Sequence, residues 1–540
     1  MLDSSASRAA RVRSLEGLGV LRAGYHSCRG YVRKVPSVDA VSDRTSDCSE
    51  WWLYWTTRGV AVPVGFDDML DGWVNIDARE RALGVEAATP ILIDPAGRID
   101  PRLAKFFRRS RFAFLAEGTR QSYVKDYRLF FTFLWCRGKY WDQADYDDID
   151  DYEAWRRRSA DNPRLIGGAK WARELAAFRL LFDWAVVSGA VERSPVATHT
   201  VRRRDGIVIE VAVNRPKDVR VANVKWVTPR TYRLWRDIGL RGYSGDGLPE
   251  TGWRGRNDGR NAAFADLLFD SGLRLREGGC LLTVEVPVPM TGQVYCEGSV
   301  AAAIAKRRER SFYVPTATLS AIASYIATTR RDAIRRAQRA GRYEQLAEKL
   351  IVTKAVAGQR RLAWEDGSGR RGEFPVTAID ERQRRRLFVQ GDEGLEPLQL
   401  WLTDGGLPMD YRSWNAVFTA ANARCLRWGK PISITPHSCR HSFALKMLIT
   451  LQRGLDTRFG LDKDDRDHLR SVYGNAFTLV KDLLGHRSEQ TTRDIYLEPL
   501  NGLRLGMILD GSDDLSAVLA RVAAATDRVV DILPDDEGES

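Results

Sequence analysis

Residues 435–444 read Thr-Pro-His-Ser-Cys-Arg-His-Ser-Phe-Ala, in a chain of 540 residues that holds only six histidines. His437 and His441 stand four apart with Arg440 between them. An i, i+4 histidine pair can hold zinc, but no glutamate or third ligand accompanies this one, so a metal is not expected there. Scarce histidines set beside arginines point instead to phosphate chemistry. Working outward, three more segments have the same character. Upstream lie Ser271-Gly272-Leu273-Arg274-Leu275-Arg276-Glu277 and Ile304-Ala305-Lys306, the latter followed by RRERSFYVP. Downstream lies Leu483-Leu484-Gly485-His486, followed by RSEQTTRDIYLEP, which contains Tyr496.

Taken in this order, the four segments resemble the boxes of the tyrosine recombinase (phage integrase) family. Those boxes read TGLRxxE, a lysine on a β-hairpin, HxLRHTFA, and LGHxxxxTTxxIY. The resemblance implies a mainly α fold with a small β-sheet (α+β). It implies a helical, SAM-like core-binding domain ahead of a catalytic domain that carries the boxes. It further implies Tyr496 as nucleophile, Arg274 and Arg440 as a phosphate clamp, Lys306, His437 and His486 as proton donors or acceptors, and Glu277 as a supporting group. Two departures stand out. The spacing from His486 to Tyr496 is one residue longer than is usual in the family. The stretch from Arg330 to Arg386 is longer than in compact members and holds fourteen arginines; it is expected to be an inserted helical hairpin that contacts DNA or a neighbouring subunit.

The chemistry explains why those residue types are needed. Attack on a DNA phosphodiester builds negative charge on the non-bridging oxygens. Two guanidiniums suit a trigonal-bipyramidal phosphate, since each offers forked donors and never deprotonates. A phenol with a pKa near 10 is a weak nucleophile at neutral pH and needs cations or a base beside it. His437 is the candidate base and His486 the candidate donor to phosphate oxygen. Lys306, on its hairpin, is the candidate proton source for the leaving 5′-oxygen. Glu277, three residues after Arg274, lies on the same helix face and can hold an arginine or His437 in place. No cofactor and no metal is called for.

Organisation along the chain follows hydrophobic period and punctuation. Residues 1–100 form an N-terminal region of unassigned role. Its block Trp51-Trp52-Leu53-Tyr54-Trp55 is expected in a core. Residues 105–190 read as a compact, mostly helical domain, which the resemblance implies is the DNA-binding core domain. Tyr123, Tyr127, Phe130, Phe131 and Leu134 recur at helical spacing, with Thr119 as the expected N-cap and a stop near Cys136. A second amphipathic helix spans about Trp171 to Val187, and WDQADYDDIDDYEAWRRRS supplies a turn and another helix between the two. Residues 195–225 read as a linker, residues 226–500 as the catalytic domain, and residues 501–540 as a tail. Thr228-Pro229 marks a helix start, NAAFADLLFDSG a helix, and LLTVEVPVPM to SFYVP a β-rich stretch. In the tail, Leu515, Val518, Leu519, Val522, Val529 and Leu533 make an apolar stripe, suited to docking on its own chain or on a neighbour.

Net charge is +12 with a pI near 9.4. A basic, arginine-rich balance favours a polyanionic partner. Thr119, Lys125, Arg202, Arg203 and Arg204 are the candidate DNA contacts outside the boxes. Seven cysteines without a CxxC pair suggest neither a disulfide framework nor a zinc ribbon. No apolar run reaches membrane-spanning length. The expected setting is cytoplasmic and nucleoid-associated. The expected partner is double-stranded DNA, held by a homotetramer, with room for an accessory DNA-bending factor. Two other readings remain: a type IB topoisomerase-like enzyme that relaxes rather than exchanges strands, and a non-catalytic DNA-binding protein on the same fold.

Overall fold

The computed structural model describes residues 50–56, 88–202, 206, 208–218, 225–305, 309–346, 348–457, 476–485 and 529–530. It resolves two compact units, residues 1–220 and 221–540. Both are mainly helical with small sheets. Lys306, His486, Tyr496, Arg203 and Arg204 lie outside the described residues, as do the tail positions Leu515, Val518, Leu519, Val522 and Leu533.

In the first unit, four helices gather around aromatic rings: α1 (Pro101–Arg109), α2 (Glu117–Trp135), α3 (Tyr146–Arg157) and α4 (Gly168–Val187). The helical period of α2 buries Tyr127, Phe130, Phe131 and Leu134. They meet Phe178 and Phe182 of α4, with the Phe130 and Phe178 rings 4.6 Å apart. The Tyr127 hydroxyl, buried with them, donates to the Ala177 carbonyl at 2.8 Å, since a buried donor needs a partner. Helix α3 starts on Asp145, whose side chain accepts from the Asp148 amide. Helix α2 begins earlier than expected. Its N-cap is Ala116, with no side-chain cap bond, and Thr119 sits inside the first turn.

The aromatic block forms strand β1 (Trp52–Trp55), antiparallel to β2 (Pro90–Ile93). Strand alternation splits the block. Trp51 is buried against Phe131, while Trp52 and Tyr54 are about half exposed. The stretch expected as a linker contains an antiparallel hairpin, β3 (Thr198–Arg202) with β4 (Val208–Ala212), and Arg202 is exposed at the end of β3. Cys136, the C-cap of α2, is disulfide-bonded, which corrects the expectation of unbridged cysteines at that position.

The second unit opens with β5 (Trp226–Val227) and α5 (Pro229–Arg241), capped by Thr228, whose hydroxyl accepts from the Thr231 amide. Next come α6 (Asp258–Ser271), the short α7 (Leu275–Gly279), the hairpin β6 (Tyr295–Val300) with β7 (Arg310–Pro315), α8 (Thr316–Tyr325) and α9 (Arg331–Arg339). The LLTVEVPVPM segment is not β: it holds a 3-10 turn at Thr283–Glu285, and strand begins only at Tyr295. Later elements include α10 (Glu381–Arg384), α11 (Trp414–Arg427), α12 (Pro436–Thr457) and α13 (Ala476–Leu484). The core is built on Phe264, Trp401 and Trp414; Phe264 stacks on Trp414 at 3.6 Å.

The arginine-rich stretch is not a helical hairpin: one longer helix, α9, is followed by strands of a five-stranded sheet and the short α10. After α9 the chain builds β8 (Leu350–Val352), β9 (Arg361–Asp366), β10 (Arg371–Pro375), β11 (Leu387–Gly391) and β12 (Gly394–Pro397), ordered β10-β9-β8-β11-β12. Within this sheet only the β8–β11 pair is parallel. The tail differs too. Val529 belongs not to a helical stripe but to β13 (Val529–Val530), which pairs in parallel with β5 of the same chain.

Candidate phosphate-handling site

Arg274 is the N-cap of α7, reached through Gly272, which ends α6 at φ +64°. A β-carbon at Gly272 would lie 2.3 Å from the Phe443 ring, so both the backbone angle and the packing require glycine there. The tight turn points the Gly272 carbonyl at Arg440, whose Nη1 donates to it at 2.5 Å. Arg440 lies on the first turns of α12 and is 2% exposed. Two boxes far apart in sequence thus meet through one carbonyl.

Glu277 joins a third. It is fully buried. Its Oε1 accepts from Arg274 Nη1 at 2.7 Å, and its Oε2 accepts from the Arg274 amide at 2.8 Å and from Arg310 Nη2 at 2.5 Å. Burial pushes this carboxyl up, but Arg310, Arg274 and Arg440 outweigh burial and leave it below the usual glutamate range. Glu277 is therefore a carboxylate that holds two guanidiniums.

The fourth box arrives at the same place. The last carbonyls of a helix lack intrahelical partners and carry its negative end. At the end of α13, Leu483 O accepts from Arg310 Nη1 at 2.8 Å, Leu484 O accepts from Arg440 Nη2, and Gly485 O lies 3.5 Å from Arg274 Nη2. Three arginines from three segments cap three successive carbonyls. The next residue in the chain is His486.

His437 is exposed at the start of α12, and His441 is buried. Their Nε2 atoms are 2.7 Å apart, so one ring donates to the other. The His441 ring meets Trp226 edge-on. The pair that could have suggested zinc is thus an exposed imidazole held by a buried one. Among the described residues no group of three or more His, Cys, Asp or Glu could hold a metal ion.

The structure brings Arg274, Glu277 and Arg440 together, with His437 three residues before Arg440 on the same helix. It also adds Arg310, which the sequence reading passed over as a neighbour of Lys306. A signal was there. Phe312 and Val314 are buried at alternate positions of β7, and period two puts Arg310 on the same inward face. In the first unit, Lys125 is exposed on α2 and Thr119 is half-buried near its start.

Comparison with known proteins places residues 113–189 in the phage integrase N-terminal SAM-like domain. The resemblance to the tyrosine recombinase family is borne out over that stretch. No curated protein matches the chain in sequence. Among solved structures the chain is similar to the XerH site-specific recombinase bound to difH substrate in a pre-cleavage complex (11% identity, 70% of this chain and 74% of that one, TM-score 0.36). It is also similar to XerH bound to palindromic difH substrate in a post-cleavage complex (11%, 72% and 78%, TM-score 0.37), and to the XerA recombinase (13%, 73% and 92%, TM-score 0.26). With TM-scores below 0.5, none of these three carries the reading that follows.

Proposed function

We propose that this chain is a site-specific tyrosine recombinase that cuts and rejoins double-stranded DNA. The observation that carries the reading is the convergence of Arg274, Glu277 and Arg440 at the end of α13, immediately before His486. A cluster of guanidiniums around one carboxylate, close in sequence to a histidine and a tyrosine, suits in-line displacement at a phosphodiester.

In the proposed reaction, the Tyr496 oxygen attacks the scissile phosphorus as His437 takes the phenolic proton. The bond from phosphorus to the 5′-oxygen breaks, and Lys306 protonates that oxygen. The products are a 3′-phosphotyrosyl link and a free 5′-hydroxyl. Arg274, Arg440 and His486 stabilise the charge on the non-bridging oxygens. Attack by a 5′-hydroxyl of a partner duplex reverses the chemistry, and two such rounds pass through a four-way junction. The bond energy is kept in the phosphotyrosine, so no nucleotide is consumed. A homotetramer on DNA, a mobile-element context, a nucleoid-associated cytoplasmic setting and assistance from a DNA-bending factor belong to the same proposal.

The test is a covalent adduct. The full chain is incubated with a pool of randomised duplexes, and DNA that stays bound through detergent is recovered and sequenced, which also defines the site. Tyr496→Phe is expected to abolish the adduct while retaining gel-shift binding. An adduct that persists in that variant would refute the assignment of the nucleophile. Relaxation of supercoiled plasmids irrespective of the recovered site would favour a type IB topoisomerase-like enzyme.

A further inference from the structure

We infer that Arg310 is a positioning residue for the proposed strand-cleavage reaction: it locks β7, which follows Lys306 in the chain, and the end of α13, which precedes His486, onto the arginine box. The inference rests on the recombinase reading above and deepens it.

The contacts of Arg310 reach three segments. It begins β7, the strand that returns from the stretch containing Lys306. One arm of its fork donates to Glu277 at 2.5 Å, which joins it to the segment that carries Arg274. The other arm donates to the Leu483 carbonyl at 2.8 Å, which joins it to the end of α13. The stem is used as well. Gly485 has φ +64°, and a β-carbon there would lie 2.7 Å from Arg310 Cδ and 3.0 Å from Nε. The backbone just before His486 therefore runs directly over the Arg310 side chain.

Its accessibility sets its role. The Arg310 side chain is 7% exposed, against 24% for Arg274. Both arms are occupied by protein acceptors, and the guanidinium has little surface to offer a phosphate. Exposure separates Arg310 from Arg274 alone; Arg440, 2% exposed with both arms on carbonyls, is a clamp candidate by its place in the boxes, and Arg310 holds the frame around Arg274 and the end of α13. The fork is essential to this. A lysine carries one point charge and cannot serve a carboxylate and a carbonyl on two sides with parallel donors. Proteins place catalytic groups within fractions of an ångström, and a misplacement of about 1 Å can cost about 10²-fold in rate.

The experiment uses the full chain, the duplex recovered from the randomised pool, and the variants Arg310→Ala, Arg310→Lys and Arg274→Ala. Single-turnover adduct formation in Arg310→Lys is expected to fall about 10- to 100-fold, with gel-shift affinity within about threefold of wild type. A duplex carrying an uncharged methylphosphonate at the scissile position separates the roles. It removes the charge that the clamp must balance, so it is expected to restore Arg274→Ala in part and Arg310 variants not at all. Wild-type rates in Arg310→Lys would overturn the inference, and so would rescue of that variant by the methylphosphonate, which would make Arg310 a phosphate contact. Should Arg310→Ala fail to fold, Arg310→Lys decides alone. A readout without DNA is hydrogen exchange in residues 476–485, expected to accelerate in Arg310→Lys; unchanged exchange also overturns the inference. If the wild type yields no adduct on any duplex, the recombinase reading fails, while the exchange measurement still decides whether Arg310 holds α13.

Discussion

Each unit of this protein buries a glutamate among cations, and the two clusters are balanced differently. In the first unit, Glu174 is fully buried and pairs with Arg156 at 2.8 Å and Lys170 at 2.8 Å. Asp126 joins them, pairing with Lys170 at 2.5 Å and Arg173 at 3.3 Å. Two carboxylates face three cations, and the network closes on itself between α2, α3 and α4. In the second unit, among the described residues, Glu277 accepts from Arg274 and Arg310, and backbone carbonyls accept from further donors of Arg274, Arg310 and Arg440. The first arrangement is a scaffold. Among the described residues, the second sets three arginines around one carboxylate beside the boxes, a setting that suits a phosphate. Buried charge alone does not mark a site; among the described residues the clusters differ in degree, three cations on two carboxylates in the first and three arginines on one in the second.

The sharpest way to break this comparison is to remove one carboxylate from the closed network. Glu174→Ala leaves Arg156 buried without its partner, and breaking a buried pair from one side costs about 3–5 kcal/mol. Urea unfolding of the full chain is expected to show that loss in the transition of the first unit, with adduct rates per folded molecule unchanged. A loss under about 1 kcal/mol would mean that the network behaves as a surface pair and the contrast is void. Next in size, Arg440→Ala removes a clamp donor. Loss of one preorganised donor to a developing oxyanion costs about 10²–10³ in rate, read as single-turnover adduct formation. A variant that binds DNA and cleaves at the wild-type rate would sink the second half of the comparison.

The two networks also carry opposite pH signatures. Burial outweighs Lys170 at Asp126 and raises its carboxyl above the usual aspartate range. The folded state then holds a proton that the unfolded chain has released, so this group's contribution to stability falls as pH rises through that window. At Glu277 the arginines outweigh burial and lower the carboxyl. Its contribution is full above the ordinary glutamate pKa and is lost as pH falls through the lowered one. Stability profiles of Asp126→Asn and Glu277→Gln, each subtracted from wild type, are expected to slope in opposite directions between about pH 3 and 6. Parallel slopes would show that the charge balance assigned to the two sites is mistaken.

How much of this was legible in the sequence depends on what the residues had to do. The helices of the first unit were readable because their apolar residues recur at helical spacing, down to the stop at Cys136. The gathering of Arg274, Glu277 and Arg440 was readable as a set of boxes, though not the carbonyls that hold it. The sheet between residues 350 and 397 was not readable. Its strands are short, and on β9 and β10 cross-strand ion pairs, Arg371 with Glu365 and Arg361 with Glu373, stand where apolar alternation would have signalled strand. Its arginines misled in another way. Arg384 is fully buried on Glu285, and buried Arg330 donates to the carbonyls of Pro397, Gln399 and Leu400. Composition counts such residues as DNA contacts, but burial makes them staples of the fold.

That distinction sets the smallest prediction, on the exposed side of the first unit. Lys125 is exposed on α2 and is not one of the buried residues of the aromatic core. If the integrase-type domain at 113–189 tracks a DNA backbone, Lys125→Ala removes one phosphate contact and nothing else. Binding to duplex DNA is expected to weaken by a few-fold on all sequences alike. The slope of log affinity against log salt is expected to fall by about 1, while the unfolding midpoint stays put. A sequence-dependent loss would mean that Lys125 reads a base edge. An unchanged salt slope would turn this face of α2 away from DNA and leave the charge imbalance at Glu277 as the main electrostatic claim on a nucleic-acid partner.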